Sequence, residues 1–599
     1  MQLVNNLRFN NLRGDLFGGL TAAIVALPLA LAFGVSSGAG AIAGLYGAFF
    51  VGFFAALFGG TPSQISGPTG PMTVVMAAIF TKLTADNPES GLAMAFAVVV
   101  LGGLFQILFG VLRLGKYVTL MPYTVISGFM SGIGLIIIIL QTAPFLGHKG
   151  SASVLDSLIH IPSHIANLDP AATGLGITTL AIVFFSPPKL NRVLPSPLVA
   201  LVACTLISTY MMPGTNLARI GDIPTGLPTV QLSGFSLEGF HLQQVVFDAL
   251  ILATLGSIDS LLTSLVADNI TRTQHDSDRE LIGQGIGNMI SGFFGGLPGA
   301  GATMRTVVNV HAGGKTALSG IIHAIVLLFI VMQAGPLAEQ IPHAVLAGIL
   351  LKVGIDIIDW SFLKRAHWIS LNSAMIMYGV MLLTVFVDLI TAVAVGVFVA
   401  NLLTVKNLTD LQVKEIKAIA SPDDETPLSS EEKHLLRQTG DRVLLFHLGG
   451  PMSFGAAKSI SQQLTIVDNY DILILDLSDV PFLDITAALA IETMVKEARE
   501  KRREIFIVGA SGKVKVMLRR LKLLALIPPQ NQVQDRLEAL DKANMVLNRY
   551  CVETKNETSE GEVELVCHFP DRQDDVFSSS KENLADSDRH SNGNLANKS

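Results

Sequence analysis

One acidic residue lies inside a long apolar stretch and has the chemistry of a cation ligand. Asp259 follows Asp248 by eleven residues and precedes Asp268 by nine, with no other charged residue between these two. At about 1.5 Å of helix rise per residue, Asp259 would lie near the centre of a membrane span. Insertion scales give a central Asp a cost of about 2.5–3.5 kcal/mol, so we expect a cation to neutralise its charge.

Two kinds of cation suit Asp259. Thr263 lies one helical turn further along the chain, and its hydroxyl oxygen would face the same side of the helix. Oxygen ligands of this kind suit Na⁺, whereas a carboxyl group that takes up a proton would suit coupling to H⁺. A third interpretation is a salt bridge between Asp259 and Arg305, a charged residue in another apolar region.

Two short apolar segments, 68–81 and 302–312, each follow a Gly/Pro-rich turn. The two segments share a sequence pattern: each has FGG, one further residue and Pro, followed later by TVV. The first copy of this pattern lies at 58–75 and the second at 294–308. Seven predicted spans separate the copies, so the second copy would be inserted upside down. Paired broken helices in an inverted repeat indicate the midplane binding site of a transporter. The alternative is that the Gly-rich turns merely connect spans.

Helices that begin inside a membrane would create an anion site at these turns. Their first N–H groups lack partners, and the helix dipole places partial positive charge there. Thr69 lies at the first helix end and Thr303 at the second, where their hydroxyl groups would add donors. Arg305, two residues further on, would supply a counter-charge for the substrate.

The elements that must position these residues are apolar and of membrane-spanning length. Hydrophobic residues make up 50% of the 599 residues, only 15% are charged, and the mean hydropathy is +0.52, which excludes an ordinary soluble enzyme. We predict fourteen spans, of which the two short segments are half-helices. The runs lie near 16–35, 41–59, 68–81, 92–112, 119–146, 171–185, 196–212, 244–267, 281–296, 302–312, 316–334, 338–355, 370–387 and 389–405.

Lys and Arg are unevenly distributed among the connections between these runs. With both termini in the cytoplasm, the inside connections hold twelve of them, namely Arg8, Arg13, Arg113, Lys116, Lys189, Arg192, Arg272, Arg279, Lys315, Lys364, Arg365 and Lys406. The outside connections hold only Lys82, Lys149 and Arg219. Because basic residues favour the cytoplasmic side, we expect a multi-pass protein of the plasma membrane with both termini inside.

The last third of the chain has a different composition. Residues 411–599 hold 24 Lys+Arg and 30 Asp+Glu, against 17 and 18 in 1–410, the predicted transport domain. Net charges of −6 and −1 leave no basic footprint for nucleic acid. We interpret 411–439 as a linker, 440–550 as a compact domain of alternating strands and helices, and 551–599 as a disordered tail.

Several motifs together resemble the SulP anion transporters, whose membrane domain is followed by a cytoplasmic STAS domain. The motifs are GLYG at 44–47, the turn Gly67–Pro71, the segment Pro298–Arg305, GGKT at 313–316 and DIT at 484–486. The resemblance covers about residues 10–550 and extends to the BicA-type sodium-dependent bicarbonate transporters of cyanobacteria. It implies a UraA-like helical fold, a seven-plus-seven inverted repeat in which a core moves against a gate, and a homodimer formed through the STAS domain and the last spans.

The resemblance also implies roles for individual residues. It implies a sodium site formed by Asp259, Thr263, Gly301, Ala302 and Thr303. It implies an anion site that includes Thr69, Ala302 and Thr303, with Arg305 at a basic position of the family. Thr486 falls at or near the site phosphorylated in related anti-sigma-factor antagonists, but Ile485 stands where those often have Ser. Regulation at Thr486 therefore competes with simple helix capping by Asp484.

We expect a secondary active transporter that takes up bicarbonate with Na⁺ by alternating access. Sulfate or another small anion, moved with H⁺ or by exchange, is the alternative, and an anion channel is a further one. The predicted spans hold no nucleophile–base pair and no metal-ligand cluster. We therefore predict no enzyme activity and no cofactor, with Na⁺ acting as the coupling ion in a lipid bilayer.

Overall fold

The chain forms two compact units, Met1–Asn401 and Leu402–Ser599. The computed structural model describes residues 5, 9–86, 90–118, 121–151, 153–187, 195–212, 214–221, 230, 242–387, 389–421, 428–464, 470–555 and 563–567. The division between the units falls nine residues before the predicted boundary at 410.

The first unit consists almost wholly of helices. In chain order these are α1 (Leu12–Ser36), α2 (Ala41–Phe58), α3 (Gly70–Asp86), α4 (Gly91–Val111), α5 (Gly115–Val118), α6 (Tyr123–Phe145), α7 (Val154–Ala166), α8 (Pro170–Phe185), α9 (Ser196–Leu206), α10 (Leu242–Thr271), α11 (Ser277–Phe293), α12 (Thr303–His311), α13 (Ala317–Ala338), α14 (His343–Ile357), α15 (Trp360–Ile369), α16 (Leu371–Phe386) and α17 (Leu389–Lys414). Each of the fourteen apolar runs contains one of these helices, and α5, α7 and α15 are additional.

By length and composition, six of the described helices can cross a membrane, or seven if the bent pair α7 and α8 forms one span. Several others, including α3 and α16, are shorter apolar helices. The fold is therefore helical and polytopic, while fourteen spans in a seven-plus-seven repeat remain a prediction.

The two segments predicted to be half-helices differ in length, and neither is long enough to count among the helices that can cross a membrane. α12 has nine residues, which corresponds to about 14 Å of rise, whereas α3 has 17 residues and about 26 Å. The apolar run of α3 stops at Phe80 and Thr81, but the helix continues through Lys82 to Asp86. Apolar periodicity marks the buried part of a helix and not its end. The end of α3 predicted from the sequence therefore came too early.

Glycines allow the helices of the first unit to approach closely. α4 and α11 cross at Gly103 and Gly285, where a Cβ atom on either glycine would lie 2.5 Å from the carbonyl oxygen of the other. No larger residue fits that distance, so the two backbones pack directly against each other. Small residues are a usual means of helix packing in membranes, where apolar side chains gain little by association.

The second unit is an open α/β sheet with helices on both faces. Its strands lie in the order β3 (Ile416–Ile419), β4 (Val443–Gly449), β5 (Ile472–Asp479), β6 (Glu504–Val508) and β7 (Gln532–Val533). Its helices are α18 (Ser430–Gln438), α19 (Phe454–Leu464), α20 (Ile485–Glu500), α21 (Gly512–Arg520) and α22 (Arg536–Tyr550). β3 runs antiparallel to β4, and the other neighbouring strands are parallel.

Alternating strand residues build one core on each face of this sheet. Leu444 and Phe446 pack in a core with α19, α20 and α21, while Val443 and Leu445 pack with α18 and α22. All seven residues of β4 are buried. A parallel strand covered on both sides is expected to have such a continuous apolar sequence.

Two predictions about the ends of the second unit are wrong. The segment 411–439, interpreted as a linker, contains the edge strand β3 and the helix α18. The segment 551–599, interpreted as a disordered tail, begins with two antiparallel strands, β8 (Cys551–Lys555) and β9 (Val563–Cys567). Residues 568–599 lie outside the described residues.

Candidate ion-binding site

The two Gly/Pro-rich turns meet in the middle of the first unit. Their residues form two short strands, β1 (Ser66–Gly67) and β2 (Ala300–Gly301), which pair antiparallel with Ser66 opposite Gly301. Ile65 extends this ladder, because its carbonyl oxygen accepts a hydrogen bond of 2.8 Å from the Ala302 N–H. The structure thus brings together the two segments that the repeat singled out, and α3 and α12 begin beside this ladder.

A glycine is required where the strands pass Arg305. Gly67 has φ +151°, and a Cβ atom there would lie 2.8 Å from Nη1 of Arg305. Arg305 itself is buried, and its Nη2 donates a hydrogen bond to the carbonyl oxygen of Pro68. The guanidinium of Arg305, a residue of α12, therefore holds the turn that precedes α3.

Asp259 lies in α10 beside the first turn. The Thr69 hydroxyl donates a 2.7 Å hydrogen bond to Oδ2 of Asp259, and only 6% of Asp259 is exposed. Within the described part of the chain, Oδ1 makes no hydrogen bond, and no ion pair within 4.0 Å joins Asp259 to Arg305. The structure does not support a direct salt bridge between these two residues.

Thr263 joins α10 to the second turn. Its hydroxyl donates to the carbonyl oxygen of Gly301 at 2.9 Å and lies 2.8 Å from Oγ1 of Thr303. The Gly301 N–H donates to the Ser260 hydroxyl at 3.1 Å. The structure therefore gathers hydroxyl and carbonyl oxygens of the second turn around Thr263, one helical turn along α10 from Asp259.

Ala302 is less available than the resemblance implies. Its N–H is bonded to Ile65, and its carbonyl oxygen accepts a 2.9 Å hydrogen bond from the Thr306 N–H. A carbonyl oxygen has a second lone pair, so Ala302 retains one acceptor position for a cation but no donor for an anion. No side chain caps the start of α12, so the N–H groups that follow Ala302 supply the donors.

The sequence analysis missed a buried carboxylate that organises the first turn. Glu280, 1% exposed, accepts hydrogen bonds from the N–H groups of Gly60 and Thr61, both at 2.9 Å. It also accepts from the side-chain amides of Gln64 at 2.7 Å and Gln284 at 2.8 Å. Glu280 lies at the beginning of an apolar run, where a charge is ordinary, so its spacing gave no signal of burial.

A chain of polar side chains connects Glu280 to the site helix. The Ser264 hydroxyl donates to Oε1 of Gln64 at 3.0 Å and lies 2.8 Å from the Thr61 hydroxyl. Gln284 donates to the Ser66 hydroxyl at 2.5 Å. Ser264 directly follows Thr263, so the loop before β1 and the oxygens of α10 are positioned by one network.

The N–H groups of the GGKT motif at 313–316 bind another residue of the same chain. The carboxylate of Asp15 accepts hydrogen bonds from the N–H groups of Lys315 at 2.8 Å and Thr316 at 3.0 Å, and from the Thr316 hydroxyl at 2.8 Å. Asp15 is fully buried. The motif therefore fastens α1 to the start of α13 and does not cradle a phosphate group.

In the second unit, Asp484 is a helix cap as predicted. Its side chain accepts a 2.8 Å hydrogen bond from the Ala487 N–H at the start of α20. Thr486 lies on the first turn of the same helix and is exposed. The capping interpretation is confirmed for Asp484, and a regulatory role of Thr486 remains a prediction.

Comparison with known proteins gives two family matches and several close relatives. Residues 12–380 match the sulfate permease family, and residues 435–536 match the STAS domain. The bicarbonate transporter BicA of Synechocystis sp. is 54% identical over 548 residues, covering 91% of this chain and 97% of that protein.

The solved structures that resemble this one include the following two. The transmembrane domain of a cyanobacterium bicarbonate transporter BicA is 58% identical, with a TM-score of 0.62, covering 65% of this chain and 100% of that one. The overall structure of SLC26A9 is 18% identical with a TM-score of 0.75, covering 90% and 92%, and this likeness concerns the fold alone.

Proposed function

The chain belongs to the sulfate permease family of transporters, and from this membership and the geometry around Asp259 we propose that it takes up bicarbonate together with Na⁺. The observation that carries the proposal is the meeting of two turns beside Asp259. A helix start without a side-chain cap lies on one side. On the other lies Oδ1 of the buried residue Asp259, which has no hydrogen-bond partner among the described residues. Two relatives that are each 54% identical over 548 residues are named bicarbonate transporters, which supports the choice of anion.

The anion is proposed to bind at the starts of α3 and α12. Backbone N–H groups at helix starts attract negative charge, and the hydroxyl groups of Thr69 and Thr303 add donors of variable direction. Arg305 has five N–H donors and bonds only Pro68 among the described residues, so it can also donate to the anion. Ala302 lines this place through its small side chain.

Na⁺ is proposed to bind at Oδ1 of Asp259. Thr263, Thr303 and the Gly301 carbonyl supply neutral oxygens. The Thr263 hydroxyl already lies 2.9 Å from the Gly301 carbonyl oxygen and 2.8 Å from the Thr303 hydroxyl. Hard cations prefer oxygen ligands, and one carboxylate neutralises one monovalent cation. A bicarbonate ion and a sodium ion together add no net charge to the buried site.

Thr69 is proposed to couple the two ions. Its hydroxyl donates to Asp259, and its backbone belongs to the turn that the anion would contact. A cation at Asp259 draws electron density from the same carboxylate, which weakens the hold of that carboxylate on the Thr69 proton. The hydroxyl is then freer to donate to the anion, so each ion favours the binding of the other.

The architecture proposed for this activity follows the family. It comprises fourteen spans in a seven-plus-seven repeat, a moving core, both termini in the cytoplasm and a homodimer formed through the STAS domain and last spans. The predicted inside connections hold twelve basic residues and the outside ones three, and this bias supports the placement of both termini in the cytoplasm. Alternating access then exposes the site to each side of the plasma membrane in turn.

Uptake into vesicles tests the proposed function. Purified protein is reconstituted, and entry of labelled bicarbonate and labelled sulfate is measured with and without an inward Na⁺ gradient. We expect bicarbonate entry that the Na⁺ gradient accelerates and little sulfate entry. Sulfate entry in preference to bicarbonate would overturn the assigned anion, and bicarbonate entry indifferent to Na⁺ would overturn the assigned coupling ion.

A further inference from the structure

Both tryptophans of the chain lie on one short helix. The 599 residues include two Trp, and these are Trp360 and Trp368, near the two ends of the ten-residue α15. The helix is held at its start by Asp359, whose carboxylate accepts hydrogen bonds from the Phe362 N–H at 3.0 Å and from the Tyr123 and Ser127 hydroxyl groups, both at 2.8 Å. The ion site does not involve this helix.

One face of α15 is packed against protein. Ala366 is fully buried and forms a small core with Ala374 and Met377 of α16, against which Phe362 and Leu363 also pack. The carbonyl oxygen of Leu363 accepts a 3.0 Å hydrogen bond from the hydroxyl group of Tyr378. α15 is therefore fixed in orientation, and its other face is fixed outward.

The outward face carries tryptophan and positive charge. Trp360, Lys364 and Trp368 recur every four residues and so form one stripe along the helix. Trp368 is 83% exposed, and Ile369 beside it is 64% exposed. Among the described residues of the first unit, none covers these large apolar groups.

The charge of this face is positive and unopposed within the helix. Trp360–Ile369 contains Lys364 and Arg365 but no Asp or Glu. Arg365 donates to the carbonyl and hydroxyl oxygens of Ser361 in its own helix. Lys364 has no acceptor among the described residues.

We propose that α15 lies in the membrane surface and binds anionic lipid headgroups through Lys364 and Arg365. Tryptophan favours the boundary between headgroups and acyl chains, where its ring is in an apolar environment and its N–H is near water. Basic side chains on the same face attract anionic headgroups. Neutral polar groups or a hydrophobic protein partner would not call for two exposed basic side chains beside the tryptophans.

Intrinsic tryptophan fluorescence tests this directly, because it reports α15 and no other element. The full-length protein is reconstituted into vesicles of equal parts phosphatidylglycerol and phosphatidylcholine, with bromine, a fluorescence quencher, on the acyl chains of one lipid or the other. We expect brominated phosphatidylglycerol to quench more strongly than brominated phosphatidylcholine. Trp368→Phe should remove more of the quenched signal than Trp360→Phe, because Trp368 is more exposed.

Charge variants separate lipid binding from mere contact with the bilayer. Lys364→Gln should lower the preference for phosphatidylglycerol by up to about fivefold, and adding Arg365→Gln should remove it. Lys149→Gln, an exposed lysine in another connection, is the matched control and should leave the preference unchanged. Equal quenching by both lipids in the unmodified protein would overturn the proposal, and so would no quenching by either, which would show that protein covers α15.

Discussion

Asp259 and Arg305 have opposite charges within one buried site, yet each is held by a different neighbour. Thr69 bonds the carboxylate, and the Pro68 carbonyl accepts from the guanidinium. These two partners are adjacent in the chain, so the two charges meet through one turn and not through a direct ion pair. Substitutions at the two residues should therefore affect different ions.

We expect Asp259→Asn to fold and reach the membrane but to lose Na⁺-stimulated uptake. The amide oxygen can still accept from Thr69, but the side chain offers a cation no net charge. Thr263→Ala should weaken the apparent Na⁺ affinity less, because it removes one neutral oxygen of several. Uptake is measured against Na⁺ concentration, with Asp248→Asn on the same helix as control. Na⁺ dependence that survives in Asp259→Asn would contradict the cation site.

The salt-bridge interpretation makes a different prediction for the same variant. If the two charges stabilised each other directly, Asp259→Asn alone would lower the thermal stability, and adding Arg305→Gln would restore it. We expect no such restoration, because Arg305→Gln also removes the hydrogen bond to Pro68. Thermal unfolding of the single and double variants distinguishes the two outcomes.

Arg305→Ala should raise the KM for bicarbonate more than it lowers the amount of protein in the membrane. Loss of a buried, hydrogen-bonded charge costs about 2–5 kcal/mol, which corresponds to a KM change of about thirtyfold or more. Arg305→Lys should restore only part of the affinity, because an ammonium group lacks the planar fork of donors. Initial rates against bicarbonate concentration provide the measurement, and an unchanged KM at normal abundance would contradict the role.

The residues that sequence reasoning found are those whose charge or position is unusual for an apolar run. Asp259 and Arg305 stand alone in their regions, and Thr69 and Thr303 mark the starts of interrupted helices. Glu280 was not identified from the sequence, because a carboxylate near the start of a helix is common and favourable. Three of its four donors, Gly60, Thr61 and Gln64, come from a loop more than 200 residues away, so no local pattern predicts its burial.

Among the elements, the loop between α2 and β1 depends most on a single side chain. Glu280→Gln would place amide N–H groups where the carboxylate now accepts from four donors, so at least one donor would lose its partner. We expect a loss of about 1–3 kcal/mol in stability. Thermal unfolding measures it, with Asp410→Asn, an exposed carboxylate, as control. A variant as stable as the parent would show that Glu280 does not hold the loop.

The element α18 could have been predicted from four residues. Ser429 and Glu432 form a capping box, in which the Ser429 hydroxyl accepts from the Glu432 N–H at 3.2 Å and the Glu432 carboxylate accepts from the Ser429 N–H at 2.6 Å. A Ser followed by Glu at the third position is a known helix-start signal. β3 offered no comparable signal, because a four-residue edge strand is too short to show alternation.

The carboxylate of Asp476 in β5 should make the second unit sensitive to acid. Burial alone would raise the pKa of Asp476, but hydrogen bonds from His447 and Ser478 and the charge of Arg536 lower it to about 2. An unfolded Asp has a pKa near 3.9, so the carboxylate stabilises the fold above pH ~4, and this contribution of about 2 kcal/mol is lost as the pH falls towards 2.

Pepsin digestion of the full-length chain tests this dependence. Asp476→Asn should be cleaved faster than the parent at pH 4, and the difference should become small near pH 2, where about half of the parent carboxyl groups are protonated. Asp479→Asn, an exposed residue at the end of the same strand, should differ little from the parent at either pH. A difference that persists unchanged at pH 2 would contradict the assigned cause.

For the molecule as a whole, the proposed site belongs entirely to the first unit. A chain that ends at Lys414 therefore retains every residue of the site. We expect its preference for bicarbonate over sulfate to equal that of the full chain, at a lower rate or with weaker association in the proposed dimer. Competition between the two anions during uptake measures the preference. A changed preference would show that the STAS domain contributes to selectivity.

The position of the cut should matter for stability in its own right. A chain that ends at residue 439 keeps β3 without its partner β4 and leaves backbone donors and acceptors unpaired on both sides. We expect this longer truncation to aggregate more than the one that ends at Lys414, as measured by size-exclusion chromatography. The reverse order would mean that β3 is stable apart from the sheet.

The pairing of β1 with β2 also constrains how the protein is made. Ser66 lies opposite Gly301, which follows it by 235 residues. At 5–20 residues per second, a ribosome needs about 12–47 s to reach Gly301 after completing Ser66. Throughout that interval the first turn is already synthesised while its backbone groups have no strand to pair with. The proposed ion site therefore cannot assemble before Gly301 has been synthesised, although α13 to α17 are still to follow. A ribosome that stalls between the two turns leaves a nascent chain with only half of that site.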